Sequence, residues 1–294
     1  SHAAPMNRFL HGRGNFMPGS PDAGGAQPLE LDDGWNYWGV NTRHMPDEAF
    51  AEQTVDFLTT SRDRSWPFFL QLNFESPHPA YGVEEPWYSM YDRDAIQAWP
   101  GDVPKNAPLP VRAQREVRTG MEGSSAACHE VQAVYYGMIT KVDHLLGQVL
   151  QAMESEGLWD DTIVLFWSDH GDYAGQYGLA EKWDTHFADC LLRVPCVICA
   201  PGLAHQRIDS LSSTVDLAPT LCELLDIEPL PGMHGESLLP VIRGETRRRA
   251  VFADGGHEQE MRRRFAAGDK PQGPDGQRFA KIGRASCRER VCHR

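Results

Sequence analysis

The chain has 294 residues, 41% of them hydrophobic, a formal net charge of −13 and a mean hydropathy of −0.47. That apolar content builds a core for one large or two small α/β domains and excludes a disordered chain. The excess of acid argues against nucleic acid and anionic membrane as partners, and no apolar run reaches the ~18 residues of a membrane span.

Residues 1–31 are rich in Gly, Pro and Ala, show no periodicity and read as irregular surface chain. The first residue is Ser1 rather than Met, so a native N-terminus is expected upstream, and the lack of a signal peptide carries no information on compartment. The stretch 32–40 holds Trp35 and Trp38 and is expected to be ordered. Pro46 opens a helix with Asp47 and Glu48 in its first turn and Phe50, Val55, Phe57 and Leu58 facing a core. The run from Pro67 to Phe74 is expected to form a buried strand, ending at Glu75-Ser76-Pro77-His78-Pro79. The prolines flanking His78 are expected to hold that backbone extended and to aim the ring. Residues 81–110, rich in Pro and aromatics, read as a long loop that either caps a site or fills surface.

The best helical pattern runs from Glu130 to Glu156, where Val131, Val134, Tyr135, Met138, Val142, Leu145, Val149 and Met153 recur at three and four, with Gly157 as the stop. Thr162 to Trp167 is β-branched and aromatic and reads as a strand buried on both faces; Val194 to Cys199 reads as its neighbour. A short helix is expected from Asp216 to about Ile227, a turn at Pro231-Gly232, and one more strand at 250–253. The last 14 residues, 281–294, resemble the translation of a sequencing adapter and are read as a non-native tail, a basic tail being the alternative. The expected division is therefore a catalytic domain fragment over 1–257, the start of a C-terminal region over 258–280, and that tail over 281–294.

Seven cysteines, an odd number, with three in or beside the 194–199 strand, read as packed thiols rather than a disulfide framework. Cys196 and Cys199 have a metal-like gap, but three steps along a strand put them on opposite faces.

Between the two strands lies a Gly-punctuated loop carrying Asp169, His170, Asp172, Lys182 and His186. In open α/β sheets ligands bind beyond the carboxyl ends of strands, so hard metal ligands and a cation at this place suit an anionic substrate. The ordered set Ser168-Asp169-His170-Gly171-Asp172, Gly175, Gly178-Leu179, Lys182-Trp183, Arg193-Val194-Pro195 and Pro201-Gly202 resembles the C-terminal signature of the sulfatase family, part of the alkaline phosphatase superfamily. The resemblance extends from about Trp35 to Gly256.

It implies an α/β fold like alkaline phosphatase, with a largely parallel sheet, helices on both faces and the first strands missing. It implies a metal held by Asp169 and His170, with Ca²⁺ first and Mn²⁺ or Zn²⁺ open because an imidazole suits them too. It implies Lys182 as a substrate anchor that neutralises sulfate and assists the leaving oxygen. His78, in Pro77-His78-Pro79 with Tyr81 following, matches the position of a sulfate-binding histidine. The plainer readings are that Asp169 caps a turn, His170 packs, Lys182 is a solvated lysine and His78 stacks on an aromatic neighbour. Asp172, Asp184 and His186 read as exposed loop polarity, or as partners that orient His170 or Lys182.

Neither Cys-x-Pro-x-Arg nor Ser-x-Pro-x-Arg, the family's formylglycine patterns, occurs in the 294 residues. The chain is therefore expected to start downstream of the nucleophile and to be inactive alone. The implied parent is a metal-dependent sulfuric ester hydrolase acting on a small-molecule or carbohydrate sulfate ester. The alternatives are a phosphodiesterase or phosphonate monoester hydrolase of the same superfamily, and a non-catalytic sulfatase-like binding protein.

Overall fold

The computed structural model describes residues 27–28, 38–40, 46–79, 81–97, 99, 103, 105–107, 126–179, 181–182, 186–253 and 290–291. Its spine is the helix Ala126–Ser155, named α2 below, which follows an earlier helix α1 at Pro46–Asp56. Helix α2 buries Val131, Val134, Met138, Leu145, Val149, Ala152 and Met153, the three-and-four spacing legible in the sequence. These side chains serve two separate cores. The first holds Tyr81, Val83, Cys128, Val131, Val134 and Met138. The second holds Ala51, Leu58, Leu145, Val149, Ala152, Met153 and Leu158, with Phe68, Leu72 and Phe74 packed on it. Between them the buried Lys141 ammonium meets Glu84 at 2.6 Å and Glu48 at 3.3 Å, so one cation joins α1, α2 and the segment after residue 83. Gly137 lets the Trp87 carbonyl approach so closely that an added Cβ would lie 2.4 Å from its oxygen.

The strands are short. Trp38–Val40 pairs antiparallel with Gln27–Pro28 and parallel with β3, Tyr81–Val83. β4, Val164–Trp167, pairs antiparallel with β5, Cys196–Cys199, in the register Trp167 to Cys196 and Val164 to Cys199. Phe252–Ala253 pairs with Arg290–Val291, which lies inside the segment read as a tail. The expected neighbouring strands are thus adjacent, and Cys196 and Cys199 lie three positions apart in β5, an odd step that puts them on opposite faces.

Two expectations are corrected. β4 is not buried on both faces: its residues are half-buried, Trp167 is 42% exposed and Val197 beside it is 54% exposed. A β-branched, aromatic run records an appetite for burial and not how many neighbouring strands meet it. The run 67–74 is extended, yet among the described residues it pairs with no strand. It alternates as a strand would: Phe68, Leu70, Leu72 and Phe74 are half-buried while Phe69, Gln71 and Asn73 are exposed. Hydrophobic packing on the second core sets this conformation without ladder hydrogen bonds.

The C-terminal part is tied by Asp216, which is 1% exposed. With Ser213 it forms a capping box at the start of the turn Thr214–Asp216, ahead of the helix Leu217–Leu224. It also accepts from the Glu236 amide at 3.0 Å and from the Arg248 guanidinium. No helix among the described residues is long and apolar enough to cross a membrane.

Candidate active site

His78 stands on a turn and not on extended backbone as expected. Its amide donates to the Glu75 carbonyl at 2.8 Å, and the Ser76–Pro77 peptide is cis. The turn is braced by Asp47, fully buried in the first turn of α1, whose carboxylate accepts from the Glu75 amide at 2.6 Å and the Ser76 amide at 3.0 Å. Two flanking prolines limit local φ, but a carboxylate from 28 residues away fixes the path. The His78 Nδ1 faces the carbonyl of Pro79. A carbonyl only accepts, so Nδ1 carries the proton and Nε2 is left with its lone pair.

That lone pair meets Lys182. The Lys182 ammonium donates to His78 Nε2 at 2.5 Å across 104 positions of sequence. The structure therefore brings together the two residues that sequence placed in catalysis. Both are reachable by solvent: His78 is exposed and Lys182 half-buried.

The loop between His170 and Lys182 gathers three of the four positive-φ non-glycine residues among those described. Gly171 lies against the Cys190 carbonyl, where an added Cβ would come within 1.9 Å of the oxygen, and its amide donates to Leu191 at 2.8 Å. Ala174, Tyr177 and Glu181 all have positive φ, at 44°, 58° and 64°. Three such non-glycine residues within eight positions store on the order of 1–3 kcal/mol each, which the surrounding contacts must hold. Those contacts include Gly175 N–H to Leu179 and Tyr173 N–H to Glu181, at 2.8 and 2.9 Å.

Asp169 and His170 leave the end of β4 side by side. Asp169 Oδ2 and His170 Nε2 are 3.6 Å apart, with the side chains 82% and 43% exposed. The His170 Nδ1 lies 2.9 Å from the Gly171 carbonyl, which places the proton on Nδ1 and leaves Nε2 open to a metal. Two donors at this separation subtend roughly 90–100° at an ion about 2.3–2.6 Å from each, an ordinary angle for a hard dication. The pair fits a shared ion as two of its ligands. Among the described residues no third His, Cys, Asp or Glu joins them. Asp169 also accepts from the His170 amide at 2.9 Å, the turn-capping role noted as the plainer reading.

Of the three polar loop residues, Asp172 is not exposed polarity: it is half-buried, accepts from the Tyr81 hydroxyl at 2.7 Å, and burial raises its pKa above the carboxylate norm despite that hydrogen bond. His186 is 3% exposed, with Nδ1 3.0 Å from the hydroxyl of Tyr173, which packs in a small core with Leu179 and Leu191. Asp184 lies outside the described residues. Asp47 and Tyr81 were not legible as site residues. An acid in a first helical turn is the commonest of caps, and Tyr81 resembled a motif member without a role.

A family model described as Sulfatase matches residues 17–227. The chain is 30% identical over 244 residues to the multifunctional alkaline phosphatase superfamily protein PehA of Trinickia caryophylli, covering 77% of this chain and 44% of that protein. It is 30% identical over 211 residues to an arylsulfatase of Clostridium perfringens, covering 70% of this chain and 43% of that one. Among solved structures, the phosphonate monoester hydrolase of Agrobacterium radiobacter superposes with a TM-score of 0.63 at 28% identity, over 82% of this chain and 52% of that chain. The chain spans less than half the length of these two curated relatives. The fold is the alkaline phosphatase-like α/β fold of these neighbours.

Proposed function

The chain belongs to the sulfatase family, and from that premise we propose that it is the C-terminal part of the catalytic domain of a metal-dependent sulfuric ester hydrolase whose formylglycine nucleophile lies upstream. The observation that carries this reading is that His78 meets Lys182, which stands in the loop that also carries Asp169 and His170. An ammonium and an imidazole at one point, both open to solvent, suit an anion's oxygens in a chain whose overall charge repels anions. In the ester complex Lys182 would turn its protons to the sulfate, and His78 Nε2, once it has taken a proton from solvent, would donate it to the bridging oxygen. Asp169 and His170 would hold the metal, Ca²⁺ by preference, which supplies charge neutralisation of the sulfate oxygens. The substrate is a small-molecule or carbohydrate sulfate ester, as the arylsulfatase and choline-sulfatase relatives suggest.

A second reading has its own support. The phosphonate monoester hydrolase superposes with a TM-score of 0.63 at 28% identity over 82% of this chain. The same cations and metal would serve a phosphonate or phosphate diester. The test is hydrolysis of an aryl sulfate and an aryl phosphonate monoester by the protein carrying its upstream nucleophile. The preferred ester decides between the readings. His78→Ala and Lys182→Ala are each expected to lower turnover by on the order of 10²-fold or more. Native rates in both variants would remove these residues from the mechanism.

A further inference from the structure

We propose that Tyr81 and Asp172 are positioning residues: one phenolic oxygen clamps both limbs of the 171–182 loop and thereby sets Lys182 against His78. This rests on the assignment of His78 and Lys182 above.

The Tyr81 hydroxyl donates to Asp172 Oδ1 at 2.7 Å and accepts from the Glu181 amide at 2.7 Å. Asp172 stands at the start of the loop and Glu181 at its end, next to Lys182. Asp172 Oδ1 also accepts from the Ala174 amide at 2.7 Å, and Tyr173 N–H closes on the Glu181 carbonyl at 2.9 Å. On the other side, Tyr81 opens β3 only three residues after His78. A closed circuit results: His78, the short chain to Tyr81, its oxygen, the Glu181 amide, Lys182, and back to His78 Nε2 at 2.5 Å. Glu181 holds a left-handed φ of 64°, a strained conformation that needs a partner to hold it.

The clamp is anchored independently of its hydroxyl. The Tyr81 ring is fully buried with Val83, Val131, Val134 and Met138, edge-on to Tyr135 at 6.1 Å. Burial also pushes the phenol well above its ordinary pKa, so it stays a donor to the carboxylate. Tyr81→Phe therefore removes one oxygen and leaves the packing in place.

The test reads the His78 ring and needs no turnover. The 294-residue chain is labelled with ¹⁵N histidine, and the His78 signals are identified by their loss in His78→Gln. The native chain is expected to show a neutral ring protonated on Nδ1, and Lys182→Met to shift the Nε2 signal by removing its donor. Tyr81→Phe and Asp172→Ala are each expected to reproduce most of that shift. Asp172→Asn, which keeps an acceptor oxygen, should restore the native signal, and Tyr88→Phe, whose hydroxyl binds Glu130 elsewhere, should not move it. Native Nε2 signals in both Tyr81→Phe and Asp172→Ala, with Lys182→Met displaced, overturn the clamp while leaving the proposed function intact. A native signal in Lys182→Met also overturns it, since there is then no contact to position. Failure to hydrolyse either ester, with the signals moving as expected, overturns the function and leaves the clamp standing.

Discussion

Two neighbouring side chains at the end of β4 carry the metal question. Asp169 is 82% exposed and its carboxylate faces His170 Nε2 at 3.6 Å, so its removal costs little packing. Asp169→Ala is expected to abolish bound divalent metal in the nucleophile-bearing protein with a melting temperature within a few degrees of native in the metal-free state. Retained stoichiometric metal, read by elemental analysis, would refute the ligand assignment. The cysteines give a pH-dependent test at the same scale. Burial pushes the Cys190 thiol up to about 12, with the nearby carboxylates of Asp172 and Asp189 adding to it. The thiolate is the reactive form, and at pH 8 the group lies far below its folded pKa, so it stays protonated. Cys190 should resist iodoacetamide in the native chain at pH 8, gain reactivity as pH rises toward 12, and label quickly once unfolded. The exposed Cys199 should label before Cys190. Mass mapping that finds Cys190 modified alongside Cys199 in the native chain would contradict the buried placement.

Helix α2 is an element with a charge between its two apolar halves. Lys141 is fully buried and faces Glu48 and Glu84, each about a quarter exposed. Removing the cation leaves two partly exposed carboxylates facing each other. Lys141→Met should cost about 2 kcal/mol, less than a fully enclosed pair would, because both carboxylates keep some solvent. That corresponds to a loss of roughly 4–8 °C in melting temperature. Adding Glu48→Gln and Glu84→Gln should recover much of it, and a triple variant no better than Lys141→Met would show that the ion pairs are not the cause. The helix itself was plain in the sequence because eight apolar residues at one spacing outvote any local ambiguity. The lysine was not, since nothing in a linear pattern marks which charged residue on a core-facing stripe is met by acids from two other segments.

At the scale of the whole molecule, the chain leaves large apolar side chains in solvent: Phe69 at 76%, Val197 at 54% and Trp167 at 42%. They lie on the extended run 67–74 and on the ribbon of β4 and β5. A surface of this kind is adhesive. The chain by itself is expected to bind an apolar-surface dye and to self-associate with rising concentration, and Phe69→Ser with Val197→Ser should reduce both. A monomer at high concentration that binds no dye would show these groups to be covered.

The amino-acid sequence alone determined the α/β class, the spine helix, the neighbouring pair of strands and the family. Those follow from periodicities of apolar residues and from an ordered set of Gly, Asp, His and Lys that survives without knowledge of contacts. It also marked His78, Lys182, Asp169 and His170. Only the tertiary structure decided that His78 and Lys182 touch, that Asp47 turns the His78 backbone, and that one buried phenol from β3 gathers both ends of the site loop. The same is true of the burial of β4, which its own residues overstated. The reason is physical. Local patterns report what a segment can bury or bond, whereas hydrogen-bond partners 28 to 104 positions apart exist only once the packing of two cores has placed them.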